Sequence, residues 1–184
     1  MTQKFEFVIG DEKVIAPGRT VKRIRALVAI AALNVSPGDI GGYIEKSENL
    51  SDDAWVSGDA LVYGDARVYG DALVSGDALV YGDAWVSGSA RVSGSAWVYD
   101  DARVSDDALV SGSARVYGNA WVYGNAQVSG NARVYGDARV YGNAKIEKYH
   151  DFLLIGPAKS SGRFTTAHKD EKIGVRVNCG CFSG

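Results

Sequence analysis

The stretch Ala54-Trp55-Val56-Ser57-Gly58-Asp59, followed at once by Ala60-Leu61-Val62-Tyr63-Gly64-Asp65, decides the architecture, because the same six-residue pattern runs unbroken to Glu147. Ala and Val stand two apart. On a strand both therefore point one way, while the residue between them and the Ser or Tyr after Val point the other. Gly then precedes Asp, Asn or Ser, and since Gly and Asn take positive φ at low cost, each hexad is expected to end in a sharp corner. A strand of about four residues that turns so soon cannot pair with its sequence neighbour; it must pair with a later turn of a coil.

Sorting the hexads by threes shows which turn. The residue after Val is Ser57, Ser75, Ser93, Ser111 and Ser129 in one row, and Tyr63, Tyr81, Tyr99, Tyr117 and Tyr135 in the next. The third row is mixed: Tyr69, Ser87, Ser105, Tyr123 and Tyr141. Two pure rows at a spacing of eighteen residues predict three faces per coil, with like side chains stacked along the axis. Ile44 and Leu50 extend the register backward from Val56, so that residues 42–149 form eighteen hexads. Six coils at a strand spacing of about 4.8 Å predict a prism roughly 29 Å tall. Each inward Val adds on the order of 1.5 kcal/mol by burial, most of it offset by backbone entropy.

With Val as the aliphatic residue, Gly-Asp as the turn pair and Ala as the small residue of each hexad, the repeat resembles the hexapeptide-repeat, left-handed parallel β-helix family. The lead-in Val21-Lys22-Arg23-Ile24-Arg25-Ala26-Leu27, with Gly38 to Glu45 and Glu48 to Ser51, is similar to that of uncharacterised members from phages, prophages and gut bacteria. The ending Cys-Gly-Cys-Phe-Ser-Gly, residues 179–184, also resembles theirs. The resemblance implies an all-β fold: a triangular left-handed β-helix of about six coils with small caps. It also implies that relatives continue past Gly184 into helix-forming sequence, which would make this C-terminus a truncation.

Such a prism has exposed strand edges at both ends, which would template aggregation unless covered. Residues 1–41 are read as an N-terminal cap with strand character, residues 42–149 as the β-helix and residues 150–184 as a C-terminal cap. In the first, Ala16-Pro17-Gly18 and Ser36-Pro37-Gly38-Asp39 mark turns, while the apolar run Val21 to Leu33 fits a strand or a short helix. In the last, residues 151–157, 164–167 and 173–177 read as three short strands of an antiparallel cap.

Composition narrows the partners. Twenty basic against twenty-two acidic side chains, a net charge of −2, offer no basic surface for nucleic acid. The N-terminus lacks the basic start and long apolar run of a signal peptide, and the apolar stretch from Ala26 to Leu33 is far short of the roughly 20 residues that span a bilayer. Two cysteines, Cys179 and Cys181, cannot build a multi-bridge secreted framework. A cytoplasmic setting, in bacteria or phage-infected cells, is the expectation, without membrane or nucleic-acid contacts.

The resemblance implies an acyltransferase as one alternative, with acetyl-coenzyme A or another acyl-coenzyme A as cosubstrate and a general-base His on a loop breaking the coil. No His lies between Gly42 and Tyr149. His150, at the exit of the last coil, is the weak catalytic candidate, and His168 lies in the cap. A calcium row along Asp65, Asp83, Asp101 and Asp137 is disfavoured, because Asn119 and the neighbouring Ser and Asn corners serve the same turn uncharged. Cys179 and Cys181 lack the further ligands of a zinc site. Ice binding is disfavoured too, since the repeat contains no Thr. No metal and no cofactor are expected.

The outward residues between Ala and Val carry more information. Trp55, Leu61, Leu73, Leu79, Trp85 and Trp97 make the lower half apolar, with Arg67 and Arg91 as the exceptions; the upper half is basic apart from Leu109, Trp121 and Gln127. A cluster of apolar side chains on a rigid wall, with small Ser beside Trp55, Leu73 and Leu109 letting another β-helix approach closely, predicts self-association through the N-terminal half, as a trimer or a dimer. The third face alternates Arg67, Trp85, Arg103, Trp121 and Arg139, a cation–π ladder or a platform for a sugar, a nucleotide or an acidic partner, whether protein or small molecule. The sequence thus points to a non-catalytic scaffold or binding module, with the acyltransferase and an oligomeric metabolite-binding protein as alternatives.

Overall fold

A computed structural model describes residues 3–148, 151–155, 165–170 and 174–179. Its body is a three-sided parallel β-helix. Sixteen two-residue strands, from Trp55–Val56 to Lys145–Ile146, pair in parallel at a spacing of three hexads. Trp55 N donates to Ala72 O at 2.9 Å, Ser57 N to Val74 O at 2.9 Å and Asp59 N to Gly76 O at 2.9 Å, and the same spacing recurs up the coil. The regular ladder covers two residues rather than the expected four, because the corner residues bend away on either side. The flanking N–H groups still bond to the next coil, so the backbone is satisfied without a longer strand.

Every Ala and Val from Ala60 to Ala144 is fully buried, and Ile146 ends the inward column. Corner glycines from Gly58 to Gly142 have φ between 58° and 73°. A Cβ on Gly76 would sit 3.0 Å from backbone atoms of Gly94 in the next coil, so close stacking and the left-handed backbone both select glycine there. Three corners carry Asp instead: Asp52, Asp100 and Asp106 take φ of 57°, 58° and 60°. Each carboxylate accepts from the backbone N–H one coil above, of Gly70, Gly118 and Gly124 respectively. This extra bond offsets the steric penalty of a left-handed non-glycine residue.

The N-terminal segment builds the first edge. β1 (Phe5–Ala16) and β2 (Arg19–Ala26) form a hairpin around the Pro17-Gly18 turn, and β2 pairs antiparallel with β3 (Ile40–Ile44), which pairs in parallel with Leu61–Val62. The cap therefore extends the sheet that carries the tyrosine row, making eight strands. The boundary expected at residue 41 falls inside β3. The run from Val21 to Leu33 divides, with strand to Ala26 and a 3-10 turn at Ala31–Leu33. Val21, Ile24, Ala26, Ile30 and Val35 are buried at this end of the core.

Asn49 is fully buried. Its amide donates to Gly64 O at 3.1 Å and Ala66 O at 2.8 Å, and its Oδ1 accepts from Lys46 N at 2.9 Å. It thereby satisfies carbonyls of the first coil in place of a strand. Beyond Glu147, the strands Phe152–Ile155, Thr165–Asp170 and Gly174–Cys179 form an antiparallel sheet, as expected, whose middle strand lies beside Arg139–Val140 and Lys145–Ile146.

Gly41 and Gly42 show how tightly cap and coil meet. A Cβ on Gly41 would lie 2.6 Å from Ile24 Cγ1 and 2.7 Å from Val56 O. Gly41→Ala is therefore expected to destabilise the fold by about 1–3 kcal/mol, read as a lower urea midpoint with an unchanged slope.

Candidate functional site

Because the inward residues are consumed by packing, chemistry can reside only on the three outer walls and the caps. Each wall has one column from the position between Ala and Val and one from the position after Val.

On the tyrosine wall, Tyr63, Tyr81, Tyr99 and Tyr117 stack with ring centroids 5.0 Å apart and planes within 4°, and Tyr135 continues the row at 5.5 Å. Such pairs are worth about 0.5–1.5 kcal/mol each beyond burial. Arg19 closes the lower end, its guanidinium 5.4 Å from the Tyr63 ring, and Glu45 accepts from Gly64 N at 2.6 Å. Burial, then the neighbouring Tyr63 and Tyr99, push the Tyr81 phenol up to about 12; burial likewise raises Tyr63 and Tyr99. Beside this row Leu61, Leu79 and Trp97 are half-buried, and Arg115 stacks on Trp97 at 4.5 Å.

On the mixed wall, Arg103 lies 4.8 Å from the Trp85 ring and 5.0 Å from Trp121, while Arg139 lies 5.0 Å from Trp121. The expected ladder thus has four rungs, not five. Among the described residues no cation–π contact joins Arg67 to Trp85, whose ring instead meets Tyr69 edge-on at 6.2 Å. Trp85 and Trp121 are 36% and 37% exposed, but the faces of Trp121 are covered by guanidinium groups on both sides. Their outward rims are indole edges, which carry the positive end of the ring quadrupole.

Trp55 does not belong to any exposed wall. It is only 3% exposed, because β3 crosses it and Gly41 sits against its ring. Leu73, in the same column, packs against the core. The apolar lower wall is therefore narrower than the outward positions alone imply, reduced on this face by the cap.

Of the corner acids Asp65, Asp83, Asp101 and Asp137, the first and the last are engaged. Asp65 bonds to Lys46 at 2.6 Å, and this bond holds its carboxyl below the usual range. Asp137 accepts from Asn119 Nδ2 at 3.0 Å. Among the described residues no group of three His, Cys, Asp or Glu is arranged to hold a metal ion. Two shallow grooves cross the coils. One of about 260 Å³ is lined by Asp65, Arg67, Asp83, Trp85, Asp101 and Arg103, and one of about 320 Å³ by Ser89, Arg91, Asp107, Leu109 and their neighbours. Neither contains a His or Cys. His150 and Cys181 lie outside the described residues, while His168 and Cys179 belong to the C-terminal sheet.

A polar knot that the repeat pattern gives no sign of joins cap and coil. Arg23 donates to Gly41 O at 2.9 Å and Tyr43 Oη at 2.6 Å, and Tyr43 Oη donates to Asp11 at 2.8 Å. Arg23 Nε lies 2.7 Å from Asp11 Oδ2, an ion pair without hydrogen-bond alignment. Lys13 sits 3.9 Å over the Tyr43 ring and bonds to Asp59, whose carboxyl is lowered first by that bond.

Two outcomes test the ladders. The folded state holds the Tyr81 proton more tightly than the unfolded chain does, so stability is expected to fall as pH rises from 10 to about 12. Tyr81→Phe should flatten that fall in urea melts across this range. Trp121→Ala removes two cation–π contacts and should destabilise by about 1–2 kcal/mol at neutral pH, read by chemical denaturation.

In comparison with known proteins, the family model described as the YdcK beta solenoid repeat matches residues 54–70, 60–76, 66–82, 72–88, 102–116, 114–130 and 126–142. Within the coil the matches leave out 89–101, where the corners read Gly88-Ser89, Gly94-Ser95 and Asp100-Asp101. No curated protein matches the chain. No helix among the described residues is long and apolar enough to cross a membrane. The chain carries repeats of a β-solenoid type, similar to those of that family.

Proposed function

We infer that this protein is a non-catalytic β-helical scaffold of bacterial or phage origin that self-associates through its outer wall and presents the remaining side chains to a partner. The observation that carries this reading is the set of apolar residues on a rigid wall. Leu61, Leu79 and Trp97 lie in one column beside a continuous stack of tyrosines. Groups held this firmly lose little further freedom on association, which favours binding. The coils supply no His as general base, none occurring between Gly42 and Tyr149, and the Asp residues that line the two grooves are exposed.

The partner reading is narrower than a sugar platform. Sugars stack on open aromatic faces, whereas both faces of Trp121 hold guanidinium groups. A protein surface offering acceptors to the Arg and indole edges suits the mixed wall better.

Sedimentation at tens of micromolar is expected to show a defined oligomer, and a monomer would remove the self-association reading. A thermal-shift screen with acetyl-coenzyme A should show no stabilisation. A shift that disappears in His150→Ala would replace the scaffold by an acyltransferase.

A further inference from the structure

The tyrosine wall carries an uneven distribution of charge along the axis. Its five coil strands hold, in order, Leu61, Leu79, Trp97, Arg115 and Arg133. The corners beside the two lower strands are Asp59, Asp65, Asp77 and Asp83, and those beside the two upper strands are Ser113, Asn119, Asn131 and Asp137. The lower half is thus an apolar centre with an acidic rim, and the upper half a basic centre with a mostly neutral rim. Asp59 and Asp65 are paired within the chain by Lys13, Arg23 and Lys46. Among the described residues Asp77, Asp83, Arg115 and Arg133 make no ion pair.

Resting on the self-association reading above, we propose that the tyrosine wall is the interface with a second copy of this chain, packed antiparallel about a two-fold axis at the Trp97 strand. That axis places the Leu79 strand against the partner's Arg115 and the Leu61 strand against the partner's Arg133. Arg115 then reaches between the partner's Asp77 and Asp83, and its aliphatic stem covers the partner's Leu79. The contact is isologous, so each match occurs twice. A parallel arrangement sets Asp77 and Asp83 against their own copies and Arg115 against itself, and like charges facing one another oppose association. The middle strand of the C-terminal sheet lies by the strands at Arg139 and Lys145, on the other two walls. The 260 Å³ groove shares its Asp83 edge with this interface, while its Arg67, Trp85 and Arg103 belong to the mixed wall and stay open to another partner.

The test combines sedimentation equilibrium with directed crosslinking, in full-length chains carrying Cys179→Ser and Cys181→Ser. The dimer should weaken about tenfold or more between low salt and 1 M NaCl, as expected of exposed ion pairs that salt screens. Arg115→Glu with Arg133→Glu should dissociate it, as should Asp77→Lys with Asp83→Lys, and an equimolar mixture of the two variants should restore it. Circular dichroism confirms that each variant keeps its strand signal. Under oxidation, Leu61→Cys mixed with Arg133→Cys should give a heterodimeric disulfide, and neither should crosslink alone. A Leu61→Cys chain that crosslinks to itself in a salt-insensitive oligomer would overturn the antiparallel arrangement while leaving self-association standing. A monomer under all conditions would overturn both.

Discussion

Everything in this molecule depends on the backbone hydrogen bond from each strand to the one eighteen residues further on, as from Trp55 N to Ala72 O. Because the side chains repeat in the same eighteen-residue frame, this bond aligns identical positions along three columns per coil. Alignment stacks Val and Ala into a fully buried core. The same alignment brings tyrosines within stacking distance. The corner is the weak link in such a frame, since it needs a left-handed residue that tolerates backbone directly above it. Glycine meets both conditions at most corners. At Asp52, Asp100 and Asp106 a carboxylate meets them differently, by bonding to the N–H of the coil above.

The ends of the prism face the opposite problem, because a parallel ladder leaves unpaired groups at its first and last strands. At the lower end, the solution is a change of strand direction. β2 runs antiparallel to β3 while β3 runs parallel to Leu61–Val62, and Ile24 and Val21 are buried at the opening of the core. Asn49 supplies side-chain donors where no strand is present. Arg23, Tyr43 and Asp11 then tie the hairpin to the first coil through a partly exposed polar network. Its pairs are exposed to screening, so its role is to set the geometry of the junction rather than to supply much stability.

The outer walls divide between self-stabilisation and recognition. Stacked Tyr and alternating Arg and Trp contact one another along the axis, and the guanidinium of Arg103 lies between two indoles. The resulting surface is rigid and donor-rich. Asp on the lower corners and Arg on the upper strands give the tyrosine wall a direction, which a uniform repeat would lack.

The local sequence alone determined the coil: its three faces, its inward Ala and Val, its corners, and the pure rows of Ser and Tyr were all legible, because an eighteen-residue frame forces equivalent residues into contact. The three-stranded character of the C-terminal cap was legible from its short apolar runs. Other features required the tertiary structure. Trp55 reads as outward in the repeat and is buried, because β3, distant from it in sequence, crosses over it. Arg67 reads as a rung of the ladder and is not, because Tyr69 takes its place beside Trp85. The junction of Arg23, Tyr43 and Asp11 left no periodic trace, since its members come from three non-repeating strands. Periodicity specifies contacts between like positions, and only the folded chain decides contacts between unlike ones.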